Sequence, residues 1–119
     1  MPEKYEPVYL AVDLGTSSMK VALITLRGGV LGWEAEPLQL YLTPDGGVEQ
    51  SPQEWWDTFI LVSRRLIDKK LAPKESIRAI CCSTQGEGTI PVDRNGTALM
   101  NCILWMDMRG APNLRRQFR

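Results

Sequence analysis

Asp13-Leu14-Gly15-Thr16-Ser17-Ser18-Met19-Lys20 is the first stretch whose residue types and spacing could do chemistry. Gly15 permits an unusual backbone angle, so successive N–H groups can point at one anion, and Thr16, Ser17 and Ser18 add hydroxyl donors around it. Phosphate is the natural guest of such a loop. Asp13 can hold a magnesium ion through water, because Mg2+ keeps much of its hydration and takes only one or two carboxylates. Lys20 can neutralise charge that develops on a transferred phosphoryl group. The same residues also fit an ordinary hairpin whose hydroxyls bond to its own backbone, and both readings stand.

A second polar cluster is Ser83-Thr84-Gln85-Gly86-Glu87-Gly88. Gln85 offers donors and acceptors while Glu87 accepts only, which suits the paired hydroxyls of a polyol, and Gly86 and Gly88 allow a ligand to come close. A polar loop whose glycines merely turn the chain is the alternative. Further on, the face of Trp105 can stack on the apolar face of a sugar and Asp107 can bind hydroxyls. Trp105 can equally be a buried core residue beside an Asp107–Arg109 ion pair.

Composition narrows what these groups can serve. Fourteen Lys and Arg offset fourteen Asp and Glu, so no basic field draws the chain to nucleic acid or an anionic membrane. No secretory leader is evident and no run reaches the roughly 18 apolar residues that span a bilayer, so a cytoplasmic protein is expected. With no histidine, Ser-His-Asp, Cys-His and His-containing zinc sites are excluded within these residues. The adjacent pair Cys81-Cys82 and the single Cys102 are no disulfide framework, and buried, reduced thiols are expected. No Gly-x-Gly-x-x-Gly follows the first strand, which removes a dinucleotide dehydrogenase.

The elements that must position these groups are legible. A nearly continuous apolar run at 8–12 reads as a strand buried on both faces and ends at Asp13. Strands at 20–26 and 30–36, turned by Gly28-Gly29, complete an antiparallel meander, and regular structure breaks off around Pro37, Pro44, Gly46 and Gly47. Ser51-Pro52-Gln53-Glu54 is a helix start: a serine cap, a proline at the first helical position and a glutamate three residues after the cap. Trp55, Phe59, Val62 and Leu66 then form one apolar stripe, leaving Asp57, Arg64 and Asp68 in water. A second buried strand at 77–82, reached through that helix, is expected parallel to the first by a right-handed crossover. Apolar runs at 90–92 and 98–104 flank Asn95-Gly96 and predict a hairpin. Both Asp13 and the cluster from Ser83 then lie beyond the carboxyl ends of their strands, where open α/β sheets bind ligands. Mobility is expected at residues 1–6, around Asp45 and after Asn113. A helix opening at Arg109, with Leu114 and Phe118 on one face, ends at Arg119 with nothing to pack against, as if the domain continued.

Taken in order, Asp13 to Lys20, then Gly47-Val48-Glu49-Gln50-Ser51-Pro52 with Trp55-Trp56, then Ser83 to Gly88, then Ile103-Leu104-Trp105-Met106-Asp107-Met108-Arg109, the chain resembles the FGGY family of xylulokinase-like and related carbohydrate kinases. The resemblance covers most of its length. It implies an α/β, ribonuclease-H-like (actin-like ATPase) fold of two lobes, present here in part, with sugar on the first lobe and ATP and Mg2+ between the two. By the same resemblance Asp13, Gly15, Thr16, Ser17, Ser18 and Lys20 face the metal and phosphates, and Gln85, Gly86, Glu87, Trp105 and Asp107 face the sugar. Lys20 stands where some members carry arginine, which keeps the charge and changes the fork geometry. Members differ at the pair corresponding to Gly86-Glu87, so the resemblance implies a pentulose or related polyol without naming it. It also puts the general-base aspartate and the nucleotide lobe beyond residue 119. The chain is then expected to be the N-terminal part of the sugar-binding lobe, partnered by the rest of a kinase chain and inactive alone. A homodimer stays open. Two other readings share these residues: a non-catalytic sugar-binding module, and an actin-fold ATPase or polyphosphatase built on the 13–20 loop.

Overall fold

The computed structural model describes residues 5–117, which fall into two compact units. The first runs up to Leu38 and resumes over Trp55–Gln85; the second comprises Gln39–Glu54 and the residues from Gly86 on.

In the first unit, β1 (Val8–Leu14), β2 (Ser18–Thr25) and β3 (Val30–Pro37) form the expected antiparallel meander. The β2–β3 turn requires Gly28, whose φ is +83°. It closes with Thr25 N–H donating to the Gly29 carbonyl at 2.8 Å. Helix α1 (Pro52–Asp68) starts where Ser51 Oγ accepts the Glu54 N–H at 3.3 Å. Its stripe behaves as the spacing requires, with Val62 and Leu66 fully buried among Val8, Leu10, Val12, Met19, Val21 and Leu23. Polar bonds flank that core: Arg65 donates to the Glu36 carboxylate at 2.6 Å and to the Ala35 carbonyl at 2.7 Å, and Lys69 pairs with Glu34. After α1 and a short 3-10 turn at Lys74–Ser76 comes β6 (Ile77–Thr84), parallel to β1, which gives the strand order β3-β2-β1-β6.

Two expectations about burial fail here for one reason. The run at 8–12 is buried only through Val8, Leu10 and Val12, while Tyr9 and Ala11 on the other face are half-buried. Strand β6 is exposed along nearly its whole length, Cys81 and Cys82 included. Among the described residues α1 covers one face of the sheet, and β6 is an edge. Apolar sequence expresses a demand for cover, and the cover itself has to come from other residues. The opposite face carries a groove of about 470 Å³ lined by Ala11, Ala22, Val30, Trp33 and Cys81, with Asp13, Lys20 and Ser83 also on its wall.

The second unit holds a small antiparallel sheet of β4 (Tyr41–Leu42), β5 (Val48–Gln50) and β7 (Cys102–Ile103), in the order β4-β5-β7. Residues 43–47, expected to be irregular, make a closed turn with Gly46 at φ +90° and Thr43 N–H bonded to the Gly47 carbonyl at 3.0 Å. Pro-Asp-Gly is turn chemistry that was readable there. The Asn95-Gly96 turn is present, with Gly96 at φ +83°, but the flanking runs share only the Val92–Ala98 bridge. β7 pairs with β5, and its Ile103 also bridges to Thr89 just before the first run. Cys102 is buried as expected, which pushes its thiol pKa up. The helix expected from Arg109 appears as α2 (Ala111–Gln117), while Phe118 and residues 1–4 lie outside the described residues.

Lys70 ends α1 at φ +53°, a left-handed position that glycine fills at no steric cost. Lys70→Gly is expected to raise the unfolding free energy by about 0.5–1 kcal/mol, measured by urea denaturation followed through the far-ultraviolet signal.

Candidate functional site

The parallel ladder of the first unit sets Asp13 opposite Ser83 and Leu14 opposite Thr84. It continues past the strands, where Gln85 N–H donates to the Leu14 carbonyl at 2.8 Å. On the other side, β2 places Lys20 opposite Asp13, and the ammonium reaches the Asp13 carboxylate at 3.1 Å with both side chains about half exposed. The strand-end arrangement expected from sequence is therefore present, with the two polar clusters meeting at Thr16, whose hydroxyl donates to Gln85 Oε1 at 3.1 Å.

The reason for glycine at 15 differs from the expected one. Its φ is not in the left-handed region, and its N–H is used inside the loop, donating to the Ser18 carbonyl at 3.1 Å. Space is the tighter constraint: a Cβ would crowd the Ser18 carbonyl at 3.2 Å and would touch the Lys20 ammonium at 3.8 Å and the Asp13 carboxylate at 4.0 Å. The bare Cα thus keeps a cradle open beside one carboxylate and one ammonium. Gly15 N–H and the Thr16 hydroxyl are structural donors in this loop, which leaves Ser17, Ser18 and Lys20 as the side chains at its rim. Among the described residues no group of three or more His, Cys, Asp or Glu could hold a metal ion. A cation at the cradle has to rest on Asp13, water and the anion that accompanies it. That is the way hydrated Mg2+ binds, so the residues fit it.

In the second unit, Glu87 takes φ +60°, a left-handed conformation costly for a side chain with a Cβ, and is exposed. Gly88 is needed because a Cβ there would come within 2.9 Å of the Cys102 sulfur, whereas Gly86 has open space around it. Two residues after Glu87, Thr89 pairs antiparallel with Ile103 through two backbone bonds of 2.9 Å. Glu87 and Trp105 each lie two residues along the chain from that pair, Glu87 in a bend and Trp105 in a turn. Trp105 is 56% exposed, so the buried-tryptophan alternative fails.

The ion-pair alternative for Asp107, by contrast, holds. Its side chain is 7% exposed and both oxygens are taken: Oδ2 by Val48 N–H at 2.9 Å and by the Arg109 guanidinium at 2.6 Å, Oδ1 by the Arg109 N–H at 3.0 Å. Asp107 thus braces Val48 and Arg109 with both oxygens, as its ion-pair alternative requires. Arg109 goes on to Glu49 at 2.7 Å, whose other oxygen accepts from Asn101 at 3.2 Å. Sequence reasoning missed Glu49 and Asn101 as members of this network; the turn chemistry at 43–47 was the signal that would have folded Glu49 toward it.

Arg109 and then the Val48 N–H hold the Asp107 carboxyl well below the usual carboxylate range. A depressed folded-state pKa stabilises the fold at all pH above the unfolded value of about 4 and loses that contribution as pH falls through the folded value. Asp107→Asn is therefore expected to lower the melting temperature at pH 7, and the gap to the parent chain should shrink on acidification below about pH 4. A gap that stays constant across melting curves from pH 2 to 7 would contradict the brace.

Comparison with known proteins gives the family. The family model for the N-terminal domain of the FGGY family of carbohydrate kinases matches residues 8–117. The chain is similar to a xylulose kinase from Staphylococcus epidermidis, 34% identical over 92% of this chain and 22% of that protein. It is also similar to a glycerol kinase from Sulfolobus acidocaldarius, 32% identical over 94% of this chain and 22% of that one. The crystal structure of a xyloylose kinase from Brucella ovis superposes with a TM-score of 0.85 at 28% identity, covering 92% of this chain and 23% of that chain. The chain thus spans about a fifth of the length of the curated relatives it matches. Its mixed sheet of meander, crossover helix and parallel strand is the expected partial actin-like ATPase fold, and the chain belongs to the FGGY family of carbohydrate kinases, as its N-terminal domain.

Proposed function

We propose that the chain is the N-terminal part of the sugar-binding lobe of an ATP-dependent carbohydrate kinase that phosphorylates a hydroxyl of a pentulose or related polyol. One observation carries this reading: Glu87, exposed at φ +60°, and Trp105, exposed in a turn, each lie two residues along the chain from the bonded pair Thr89–Ile103. A carboxylate to accept hydroxyl hydrogens and an exposed indole to cover C–H groups are the complement of a polyol.

The loop of the first unit supports the other half of the reaction. Asp13 would hold a hydrated Mg2+ through its waters, Lys20 would offset negative charge on the phosphoryl group, and Gly15 keeps the space beside them clear. MgATP, when bound, supplies the phosphoryl group and screens its charge. Gln85, tied to both Leu14 and Thr16, fixes the loop after β6 to the loop after β1. In this reading the general base and the nucleotide lobe come from the rest of a longer chain, this chain alone does not turn over ATP, and the protein works in the cytoplasm. No helix among the described residues is long and apolar enough to cross a membrane.

The test is ADP release from MgATP across ketoses, polyols and sugar acids, run on this chain and on any longer product of its reading frame. Turnover by the longer product with one polyol supports the kinase. Binding of a polyol without ADP release points to a non-catalytic sugar module, and ADP release that ignores every polyol points to an ATPase. Glu87→Gly separates function from folding: relief of the left-handed strain should add about 1 kcal/mol of stability while polyol-dependent turnover falls at least tenfold. Loss of both stability and turnover would make Glu87 a structural residue.

A further inference from the structure

Residues 104–108 run beside the 46–48 segment as a makeshift strand. Leu104 N–H donates to the Val48 carbonyl at 3.0 Å, and Met108 N–H to the Gly46 carbonyl at 3.1 Å. Between them the Asp107 carboxylate, not a backbone carbonyl, receives the Val48 N–H at 2.9 Å. Asp107 N–H closes the stretch by donating to the Leu104 carbonyl at 3.0 Å, which makes Trp105 and Met106 the two central residues of a turn. Leu104 is buried, so Trp105 is offered outward from a turn pinned at both ends.

One side chain completes the pin. The Arg109 guanidinium uses Nε and one terminal nitrogen on Asp107 and the same terminal nitrogen on Glu49, and Glu49 is held in turn by Asn101 just before β7. The guanidinium also lies near Gly47, where a Cβ would first meet the Thr43 hydroxyl and would come within 2.9 Å of the guanidinium's central carbon and of Nε. A flat fork fits between two carboxylates over a bare backbone, whereas a point-charge ammonium cannot make the same set of bonds.

We infer that Arg109, clamped by Asp107 and Glu49 over Gly47, is the positioning residue that fixes the angle of Trp105 as the sugar-facing platform. The inference rests on the sugar-facing reading of Trp105 and adds what sets the specificity of that surface. Its parts are the fork at 109, the absence of a side chain at 47 and the carboxylate at 49. A small change in the turn tilts the indole, and displacement by about 1 Å at a binding group costs up to a hundredfold.

The test uses 5-fluorotryptophan incorporated into this chain and observed by fluorine NMR, with Trp105→Phe assigning its signal. Trp33, Trp55 and Trp56 belong to the first unit and report independently that it is folded. Arg109→Lys is expected to move the Trp105 signal toward that of free 5-fluorotryptophan while the other three stay in place. Arg109→Lys, despite its retained charge, should also raise the half-saturating concentration of glycerol or D-xylulose about tenfold. Glu49→Gln, which keeps size and shape, covers the case in which the Lys variant does not fold and must move the same signal. An unmoved Trp105 signal in the variants that fold, or full rescue by Lys, overturns the inference. The underlying reading is tested separately in the parent chain: a Trp105 signal that no polyol shifts removes the sugar, while the variant shifts without ligand still decide the clamp.

Discussion

The parallel pairing of β1 with β6 is the constraint on which the first unit depends. Parallel strands cannot be joined by a turn, so the chain must leave β1, build the meander, and return through α1 before β6 can align. What holds the return is burial: α1 delivers Val62 and Leu66 onto Val8, Leu10, Val12 and the inward residues of β2. Once that face is closed the register follows, and with it the placement of Ser83 beside Asp13 and of Gln85 beside Leu14. The geometry of the candidate phosphate loop is thus a consequence of packing on the far side of the sheet.

Much of this was legible in the sequence because the signals were local. The Gly28-Gly29 turn, the Ser51 cap and the apolar stripe of α1 each act within a few residues, and the structure contains all three. The ladder partner of β7 was not legible, because pairing of residues 49–50 with 102–103 is set by which edge is free and not by either segment alone. Burial failed in the same way. Cys81 and Cys82 read as core residues since their neighbours are apolar, yet exposure depends on what covers a strand.

The candidate site divides along similar lines. Residue types announced Asp13, Lys20, Glu87 and Trp105; Asp13 and Lys20 pair across β1 and β2, and Glu87 and Trp105 are exposed. Asp107 shows the limit of such reading: the same carboxylate that suits a hydroxyl suits a guanidinium two residues away, and only the bonds it makes to Val48 and Arg109 decide between them. Gly15 is the converse: its backbone angle is ordinary, and the one tight approach a side chain there would meet is the Ser18 carbonyl.

The central claim is that phosphate and polyol are met by two separate loops, one following β1 and one preceding and following β7. Amide chemical shifts of this chain, titrated in turn with MgADP and with glycerol or D-xylulose, test it most directly. The account predicts that MgADP moves residues 13–20 and that the polyol moves residues 86–88 and 105. Shifts confined instead to the groove of Ala11, Ala22 and Trp33, for either ligand, would contradict it.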